Sequence, residues 1–351
     1  MNRGIGRTAI LRKELGTELQ TGSDPNTILR VAAVQMESGN GLIEANLQHA
    51  TTLVNRAAEM GARLVLLPEF MPPGYVFTTA IWNGAEPKEG PTARWLKETS
   101  KRLSIWLGTS FLEADGEDFF NTFVVATPDG REAGRVRKQT PASCETYFTR
   151  GYVGPHVMET ELGKIGVGIC YENQLAYIPR IMCQQSVDLL LMPHSIPVLM
   201  GSFFFSGKQI ERYRNAVKEL ALRYARMLGV PVVMANKCGQ WESPMPGIPF
   251  HVEHSSFPGL SAVADSDGTL KAQLGDEEGV IVEDVRLDPS RKIHTVPQSY
   301  GRWAWKDPYG FSWLLRNATP VTEAFGRLWY SLSIERRRRA RAVSLGTSAA
   351  E

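Results

Sequence analysis

The chain contains few cysteines, and none of them belongs to a pattern that binds a metal. Its four cysteines are Cys144, Cys170, Cys183 and Cys238. They form no Cys-x-x-Cys pair, and no histidine lies near them at metal-ligand spacing. We therefore expect free thiols in a reducing, cytoplasmic setting, with no bound metal and no cofactor.

Long apolar runs and a strong net charge are also missing. No stretch approaches the roughly 18–20 apolar residues that span a bilayer, and residues 1–29 lack the apolar core of a signal peptide. The formal charge of the 351 residues is only +2, so no overall field favours nucleic acid or an acidic partner. We expect neither a membrane span nor a nucleic-acid partner.

What is present is typical of a soluble globular protein, with 43% hydrophobic and 22% charged residues. Predicted strands and helices alternate along the chain, for example a strand at Val31 to Gln35 followed by apolar residues at helical spacing from Ile43 to Ala57. Hairpin signals also occur, so this α/β chain should contain mixed sheets. We predict a mobile extension over residues 1–29, one domain over 30–290 and a tail over 291–351.

Two helical segments carry more specific expectations. Residues 173–185 have a helical pattern, but Pro179 should kink or interrupt it. Apolar residues recur at helical spacing from Ile210 to Leu228, which predicts one long helix.

Reactive side chains follow three predicted strands or hairpins. Glu69 follows the apolar run LVLLP, Cys170 follows KIGVGI, and Lys138 lies in RVRKQTP just after a hairpin signal. A charged residue at the end of a buried strand is unfavourable unless it is paired or functional. The ends of sheet strands are also common places for catalytic groups.

The three side chains match the needs of nucleophilic catalysis by a thiol. A thiol with an ordinary pKa is mostly protonated at neutral pH, so it needs a base or a nearby cation. Glu69 would take the proton of Cys170 and return it to a leaving amine. Lys138 and the backbone N–H of Tyr171 would stabilise the oxyanion of a tetrahedral intermediate.

Several segments, in this order, resemble the nitrilase, or carbon–nitrogen hydrolase, superfamily between about residues 30 and 287. They are VAAVQM, LLPEF with Gly74-Tyr75, RKQTPASCETYF, GKIGVGICYEN, PVVMANKCG and GLSAVADSDGTL. Three catalytic motifs in the right order make the resemblance specific. It implies a four-layer α-β-β-α sandwich, a Glu69–Lys138–Cys170 triad, no metal, and homodimers or larger homo-oligomers.

The resemblance also suggests further site residues. Glu145 matches the second glutamate of the family and would position substrate or water, hold Lys138, or transfer protons. Tyr75, Tyr171, Glu172 and His194 are candidates for substrate binding. Glu172 and Tyr171 could equally cap or pack against the next helix, and His194 could form a structural hydrogen bond.

The resemblance leaves the substrate open between an amide, a carbamoyl compound and a nitrile. Tyr171 after the nucleophile favours the amidase branches, where nitrilases typically have Trp, whereas Glu172-Asn173 and the long tail are nitrilase-like. We lean to a small-molecule amide or carbamoyl substrate. A catalytically silent binding scaffold is a third possibility, but all three triad residues are present.

The tail contains an aromatic-rich stretch from Trp303 to Trp313 and an arginine cluster from Arg336 to Arg341. So many large rings are unfavourable in water, so residues 291–330 should pack on the domain or on a second subunit. Residues from about 335 should stay mobile because the arginines repel one another. Binding of nucleic acid or an anionic membrane is the competing interpretation of the arginines.

Overall fold

The structure is a computed structural model that describes residues 27–198, 206–246, 250–308 and 313–347. The strands are β1 Thr27–Gln35, β2 Leu64–Leu66, β3 Trp106–Asp115, β4 Asp118–Ala126, β5 Glu132–Arg137, β6 Val157–Thr160, β7 Gly163–Val167, β8 Leu189–Pro193, β9 Val232–Ala235, β10 Cys238–Pro244, β11 Val252–Pro258, β12 Ala262–Ala264, β13 Leu270–Gln273 and β14 Gly279–Leu287. The helices are α1 Ile43–Glu59, α2 Pro91–Leu103, α3 Tyr177–Gln184, α4 Gly207–Lys218, α5 Leu220–Leu228, α6 Trp313–Leu332 and α7 Ile334–Ser344.

The strands form two six-stranded sheets and one hairpin. The first sheet has the order β14-β1-β2-β3-β4-β5, the second has the order β13-β12-β9-β8-β7-β6, and β10 pairs with β11. Each large sheet is parallel at its centre and antiparallel at its edges: β1, β2 and β3 are parallel, as are β7, β8 and β9. The sheets are therefore mixed.

Side-chain alternation along the central strands builds four layers. Val31 and Ala33 of β1 face a core shared with Val167 and Leu191 of the second sheet. Because successive residues of a strand point to opposite faces, the residues between them face outward. On the first sheet those residues pack against α1 and α2, and on the second sheet the outer face packs against α3 and α5. The result is the α-β-β-α sandwich that the family resemblance implies.

Two helical predictions need correction. Pro179 does not interrupt a helix, because α3 begins only at Tyr177 and Pro179 lies in its first turn, where a missing backbone N–H removes no intrahelical hydrogen bond. The single long helix over 210–228 is wrong, since the structure breaks it at Glu219 between α4 and α5.

The two chain ends also differ from expectation. Strand β1 begins at Thr27, inside the predicted extension of residues 1–29, and pairs with β14 from its first residue; residues 1–26 lie outside the described part. Residues from about 335 are not an open chain but helix α7. The Arg336 guanidinium is nearly buried and contacts Asp118 and the carbonyl of Glu117. The Asp118 carboxylate offsets part of the repulsion among the arginines.

Part of the aromatic-rich stretch lies against the sandwich. Trp303 and Trp305 are 5% and 6% exposed, and Trp305 packs at 5.5 Å from the ring of Tyr224 on α5. Tyr309 and Phe311 lie outside the described residues. No helix in the described part of the chain is long and apolar enough to cross a membrane.

Candidate active site

Glu69 lies just beyond β2 at the centre of the first sheet. Its backbone N–H donates to the carbonyl of His194, which follows β8 in the second sheet, so the two sheets meet here. The next residue, Phe70, has a positive φ of 45°, a backbone region that residues other than glycine seldom adopt. A buried lysine, Lys237, donates from Nζ to the Phe70 carbonyl at 2.8 Å.

Lys138 directly follows β5, the edge strand of the first sheet. Its backbone N–H continues the pairing with β4 by donating to the carbonyl of Asn121 at 2.9 Å. Side chains alternate along a strand, so Lys138 shares the face of Val136, which is fully buried between the sheets. The alternation therefore carries Lys138 into the interior of the sandwich.

Cys170 begins a 3₁₀ turn, Cys170–Gln174, which is separated from the end of β7 by two residues. Its φ is 53°, so the nucleophile candidate has a strained backbone on a sharp strand-to-helix turn. Gly168 makes the turn possible, because a Cβ there would lie 2.0 Å from Asn173 Oδ1. Asn173 in turn donates to the Gly168 carbonyl at 2.7 Å, which closes the turn.

The structure brings together the four residues predicted to be catalytic. Lys138 Nζ donates to Glu69 Oε1 at 2.8 Å and to Glu145 Oε2 at 2.6 Å. Asn121 Nδ2 bridges the same two carboxylates, at 2.7 Å from Glu69 Oε1 and 3.0 Å from Glu145 Oε1. The Cys170 thiol interacts with the Glu69 carboxylate and with the backbone N–H of Ser195.

Burial decides the electrostatics of this cluster. Glu69, Lys138 and Glu145 are fully buried, and Cys170 is 4% exposed. Burial lowers the pKa of Lys138, but Glu145 and Glu69 outweigh it and raise the Lys138 pKa well above its usual value. The ammonium is therefore a permanent cation between the two carboxylates.

Burial and the negative charge of Glu69 raise the pKa of the Cys170 thiol well above its usual value, although Lys138 acts in the opposite direction. Burial likewise raises the pKa of Glu145, with a further contribution from Glu69 and opposition from Lys138. The resting thiol is thus protonated and needs a base at the moment of attack.

Glu69 has one oxygen left for that task. Its Oε1 accepts hydrogen bonds from Lys138 and Asn121, whereas its Oε2 has no well-formed hydrogen bond within the described residues. A buried carboxylate oxygen without a donor is unfavourable and needs an explanation. The adjacent thiol of Cys170 supplies one, since its proton can be transferred there.

The four residues predicted to bind substrate occupy different environments. The Tyr75 ring packs on Phe70 and Phe77, close enough to Glu145 and Glu69 that burial and their charges raise its pKa well above the usual value. The Tyr171 hydroxyl donates to Glu323 on α6 at 2.8 Å.

Both carboxylate oxygens of Glu172 accept hydrogen bonds from other protein groups. Oε1 accepts from the backbone of Gln139 at 2.7 Å and from the Tyr177 hydroxyl at 2.6 Å, and Oε2 accepts from the backbone of Ile169 at 3.2 Å. Glu172 therefore ties the segment after Lys138 to the turn of Cys170. His194 Nε2 lies 3.0 Å from Asn173 Nδ2, and burial lowers the His194 pKa to about 3. A substrate contact for any of the four stays a prediction.

Sequence reasoning did not find Asn121, Ser195 or Lys237. Asn121 has a visible signal, since it is a polar residue within the aromatic strand segment FFNTF. Ser195 acts through its backbone N–H on Cys170 and through its hydroxyl, which donates to the Glu69 carbonyl at 2.5 Å, and no sequence pattern reveals either contact. Lys237 is fully buried, and burial lowers its pKa to about 7 although Glu69 and Cys170 act in the opposite direction.

Of the other thiols, Cys144 adjoins Glu145 and acts on Tyr75. Cys183 and Cys238 are buried in packing positions, and burial raises the pKa of the Cys144 thiol to about 11. Among residues 27–198, 206–246, 250–308 and 313–347, no group of three or more His, Cys, Asp or Glu side chains is arranged to hold a metal ion.

Comparison with known proteins gives the same family as the sequence motifs. Residues 30–294 match the carbon-nitrogen hydrolase family. The chain is 28% identical over 301 residues to an N-carbamoylputrescine amidase from Solanum lycopersicum, covering 82% of this chain and 94% of the relative. It is 33% identical over 276 residues to an omega-amidase from Danio rerio, covering 74% of this chain and 88% of the relative.

The fold comparison agrees. A carbon-nitrogen hydrolase from Helicobacter pylori superposes with a TM-score of 0.62 at 22% identity, covering 75% of this chain and 90% of that structure. The chain belongs to the carbon–nitrogen hydrolase family, within the nitrilase superfamily. It is a carbon–nitrogen hydrolase of the amidase or nitrilase type.

Proposed function

We propose that the chain hydrolyses the amide or carbamoyl carbon–nitrogen bond of a small molecule through a covalent thioester on Cys170. The interaction of the Cys170 thiol with the Glu69 carboxylate, whose Oε2 accepts no hydrogen bond from any other group in the described residues, carries this proposal. Amide-type substrates are favoured because the two relatives described above are named as an N-carbamoylputrescine amidase and an omega-amidase.

In the first half-reaction, Glu69 takes the proton of Cys170 as the sulfur attacks the carbonyl carbon. The new C–S bond converts the carbonyl oxygen into an oxyanion, which the Lys138 ammonium and the backbone N–H of Tyr171 stabilise. The C–N bond then breaks, and the protonated Glu69 returns its proton to the departing nitrogen. Ammonia or an amine leaves, and a thioester remains.

In the second half-reaction, water attacks the thioester and transfers a proton to the carboxylate of Glu69. The C–S bond breaks, the acid product leaves, and the proton returns to the sulfur of Cys170. Glu145 supports both halves by holding Lys138 at 2.6 Å, and its own backbone and side-chain contacts with Ala142 and Asn121 fix it in place.

A substrate panel with matched cysteine variants tests this function. Acetamide, succinamate, N-carbamoylputrescine, N-carbamoylalanine and phenylacetonitrile would be incubated with the protein, and released ammonia would be measured. We expect turnover of an amide or carbamoyl compound, no turnover by Cys170→Ala, and retained turnover by Cys183→Ala and Cys238→Ala. Circular dichroism would verify that each variant is folded.

Two outcomes would contradict the proposal. Ammonia release by folded Cys170→Ala at the wild-type rate would remove Cys170 from the mechanism. Turnover of the nitrile alone would assign the chain to the nitrilase reaction, which passes through a thioimidate on the same cysteine.

We also propose that the chain forms a homodimer or a larger homo-oligomer. Helix α6 supports this, because its residues Val321, Phe325, Leu328 and Leu332 are 54–68% exposed and recur at spacings that place them on one face of the helix. Light scattering would measure the mass per particle. A monomer at micromolar concentration would contradict the proposal.

A further inference from the structure

The chain beyond the family match runs along the turn that carries the candidate nucleophile. The Ala176 N–H donates to the carbonyl of Arg302 at 2.9 Å, and the Ala304 N–H donates to the carbonyl of Gln174 at 2.8 Å. Trp305 Nε1 donates to the carbonyl of Asn173 at 3.1 Å. Residues 302–305 thus border the 3₁₀ turn Cys170–Gln174 on one side.

A second part of the same segment contributes a buried carboxylate. Glu323 lies on α6, and its side chain is only 2% exposed. It accepts a hydrogen bond from the Tyr171 hydroxyl at 2.8 Å, and Arg302 Nη2 lies 3.1 and 3.0 Å from its two oxygens. A buried carboxylate is strongly unfavourable unless it is paired, so the Arg302 cation stabilises Glu323 in this position.

From this arrangement we infer that Glu323 and the Tyr171 hydroxyl are positioning groups for the reaction. The inference rests on the proposed roles of Cys170 and of the Tyr171 backbone N–H. Glu323 holds the side chain of the residue directly after the nucleophile, and thereby fixes the direction of the Tyr171 N–H and of the Cys170 thiol. The C-terminal segment therefore completes the active site instead of only covering the domain.

The backbone of the turn explains why such a hold is needed. Cys170 has a φ of 53°, in a region that disfavours residues with a Cβ. Such a conformation persists only where surrounding contacts determine it. The Tyr171 ring packs edge-on against Trp303 at 6.1 Å, and its hydroxyl ends on Glu323. Together these contacts hold the ring and the hydroxyl of Tyr171 in place.

Helix α6 also contacts the turn that carries Glu145. Gly326 lies so close to Thr146 that an added Cβ would be 1.9 Å from Thr146 Oγ1. The Ser143 and Thr322 hydroxyls are 2.7 Å apart. One helix therefore fixes both turns, and oxyanion stabilisation depends on such geometry because a misplacement of about 1 Å can cost 10²-fold in rate.

Two tyrosines provide a matched test. Tyr171 and Tyr330 each link the α6 segment to the domain through one hydroxyl, since Tyr330 on α6 accepts from the Phe119 N–H at 2.9 Å. We expect Tyr171→Phe to lower kcat by about 10- to 100-fold with KM within about twofold, because transition-state contacts act on kcat. Tyr330→Phe should lower the melting temperature but keep kcat within about twofold of wild type.

Variants of Glu323 distinguish the effect of losing the hydrogen bond to Tyr171 from the effect of destabilising the fold. Glu323→Gln keeps an oxygen that accepts from Tyr171, so its kcat should fall less than that of Glu323→Ala. The double variant Tyr171→Phe/Glu323→Ala should lose no more kcat than the more affected single variant, because the two groups act as a unit. Each kcat would be measured on the panel substrate that wild type turns over fastest, well below the melting temperature.

Equal kcat values for Tyr171→Phe and Tyr330→Phe would overturn the inference, as would wild-type kcat in folded Glu323→Ala. These outcomes differ from a failure of the proposed function. If the proposed function failed, folded Cys170→Ala would itself release ammonia, whatever the result with the tyrosine variants.

Discussion

Strand β5 and the residue that follows it supply cations to two buried carboxylates that differ in one respect. Arg135 and Arg137 of β5 contact both oxygens of Glu113 on β3, whereas Lys138, the next residue, contacts only Oε1 of Glu69. Glu113 and Glu69 are both fully buried. The difference lies in how completely each carboxylate is paired, and the open oxygen of Glu69 marks the carboxylate that can accept a proton.

The two carboxylates receive their cations on opposite faces of the sheet, because successive side chains of a strand point to opposite faces. Residues 135 and 137 point to one face of the sheet, toward Glu113, while 136 and 138 point to the interior between the sheets. In the sequence, Lys138 stands at the end of a basic run, RVRK, which is a pattern typical of a solvated charge cluster. In the fold it is separated from that run by the sheet itself and lies beside Cys170.

The largest expected effect comes from breaking the catalytic cluster. Glu69→Gln preserves the shape of the side chain but removes the base, and Lys138→Met removes the cation with little change in volume. Each should lower kcat/KM by about 10³-fold or more, because the members of an activated-nucleophile set act as a unit. Ammonia release by purified variants would measure this. Modest, additive losses in the single and double variants would contradict a shared mechanism.

Glu113→Gln is the matched control for Glu69→Gln. It removes the same charge from a carboxylate that is equally buried but fully paired. Because the Arg135 and Arg137 side chains are 13% and 14% exposed, we expect about 3 kcal/mol lower unfolding free energy, at the low end for a broken buried pair. The kcat of the folded variant should stay near wild type. If Glu113→Gln lost as much activity as Glu69→Gln, pairing would not distinguish the two carboxylates.

The comparison also shows how far sequence reasoning reached. Glu69, Lys138, Glu145 and Cys170 belong to short motifs, so their meeting in space followed from the family resemblance. The α-β-β-α layers followed in the same way, and strand alternation supports them.

The features that could not be predicted from the sequence depend on contacts between distant segments. Asn121 bridges two carboxylates from the middle of a strand, and Glu323 reaches Tyr171 across 152 positions of the chain. A polar residue on an amphipathic helix predicts solvent exposure, so the burial of Glu323 had no local signal. Likewise, the apolar stripe over residues 210–228 does not show the break at Glu219.

Lys237 is a third kind of buried charge, and the effect expected of it is on the stability of the fold. Its Nζ has the Phe70 carbonyl at 2.8 Å as its hydrogen-bond partner, lies 5.7 Å from the Phe257 ring, and forms no ion pair within the described residues. Burial lowers the Lys237 pKa to about 7, compared with about 10.4 in an unfolded chain. At about 1.4 kcal/mol per pKa unit, the cost of burying the charge is of the order of 5 kcal/mol.

The sign of the pH dependence follows from proton counting. Below pH 7 the lysine is protonated in both states, and the folded state bears the full cost of the buried ammonium. Between about pH 7 and 10.4 the unfolded state binds more protons, so this contribution to stability improves as the pH rises. Lys237→Met removes the charge, so its unfolding free energy relative to wild type should be highest below pH 7 and should decline toward pH 10. Urea unfolding of both proteins at pH 6.5, 8 and 9.5 would measure the difference. A difference independent of pH would show that Lys237 titrates alike in the folded and unfolded chains, and that the Phe70 carbonyl and nearby acidic groups already compensate for its burial.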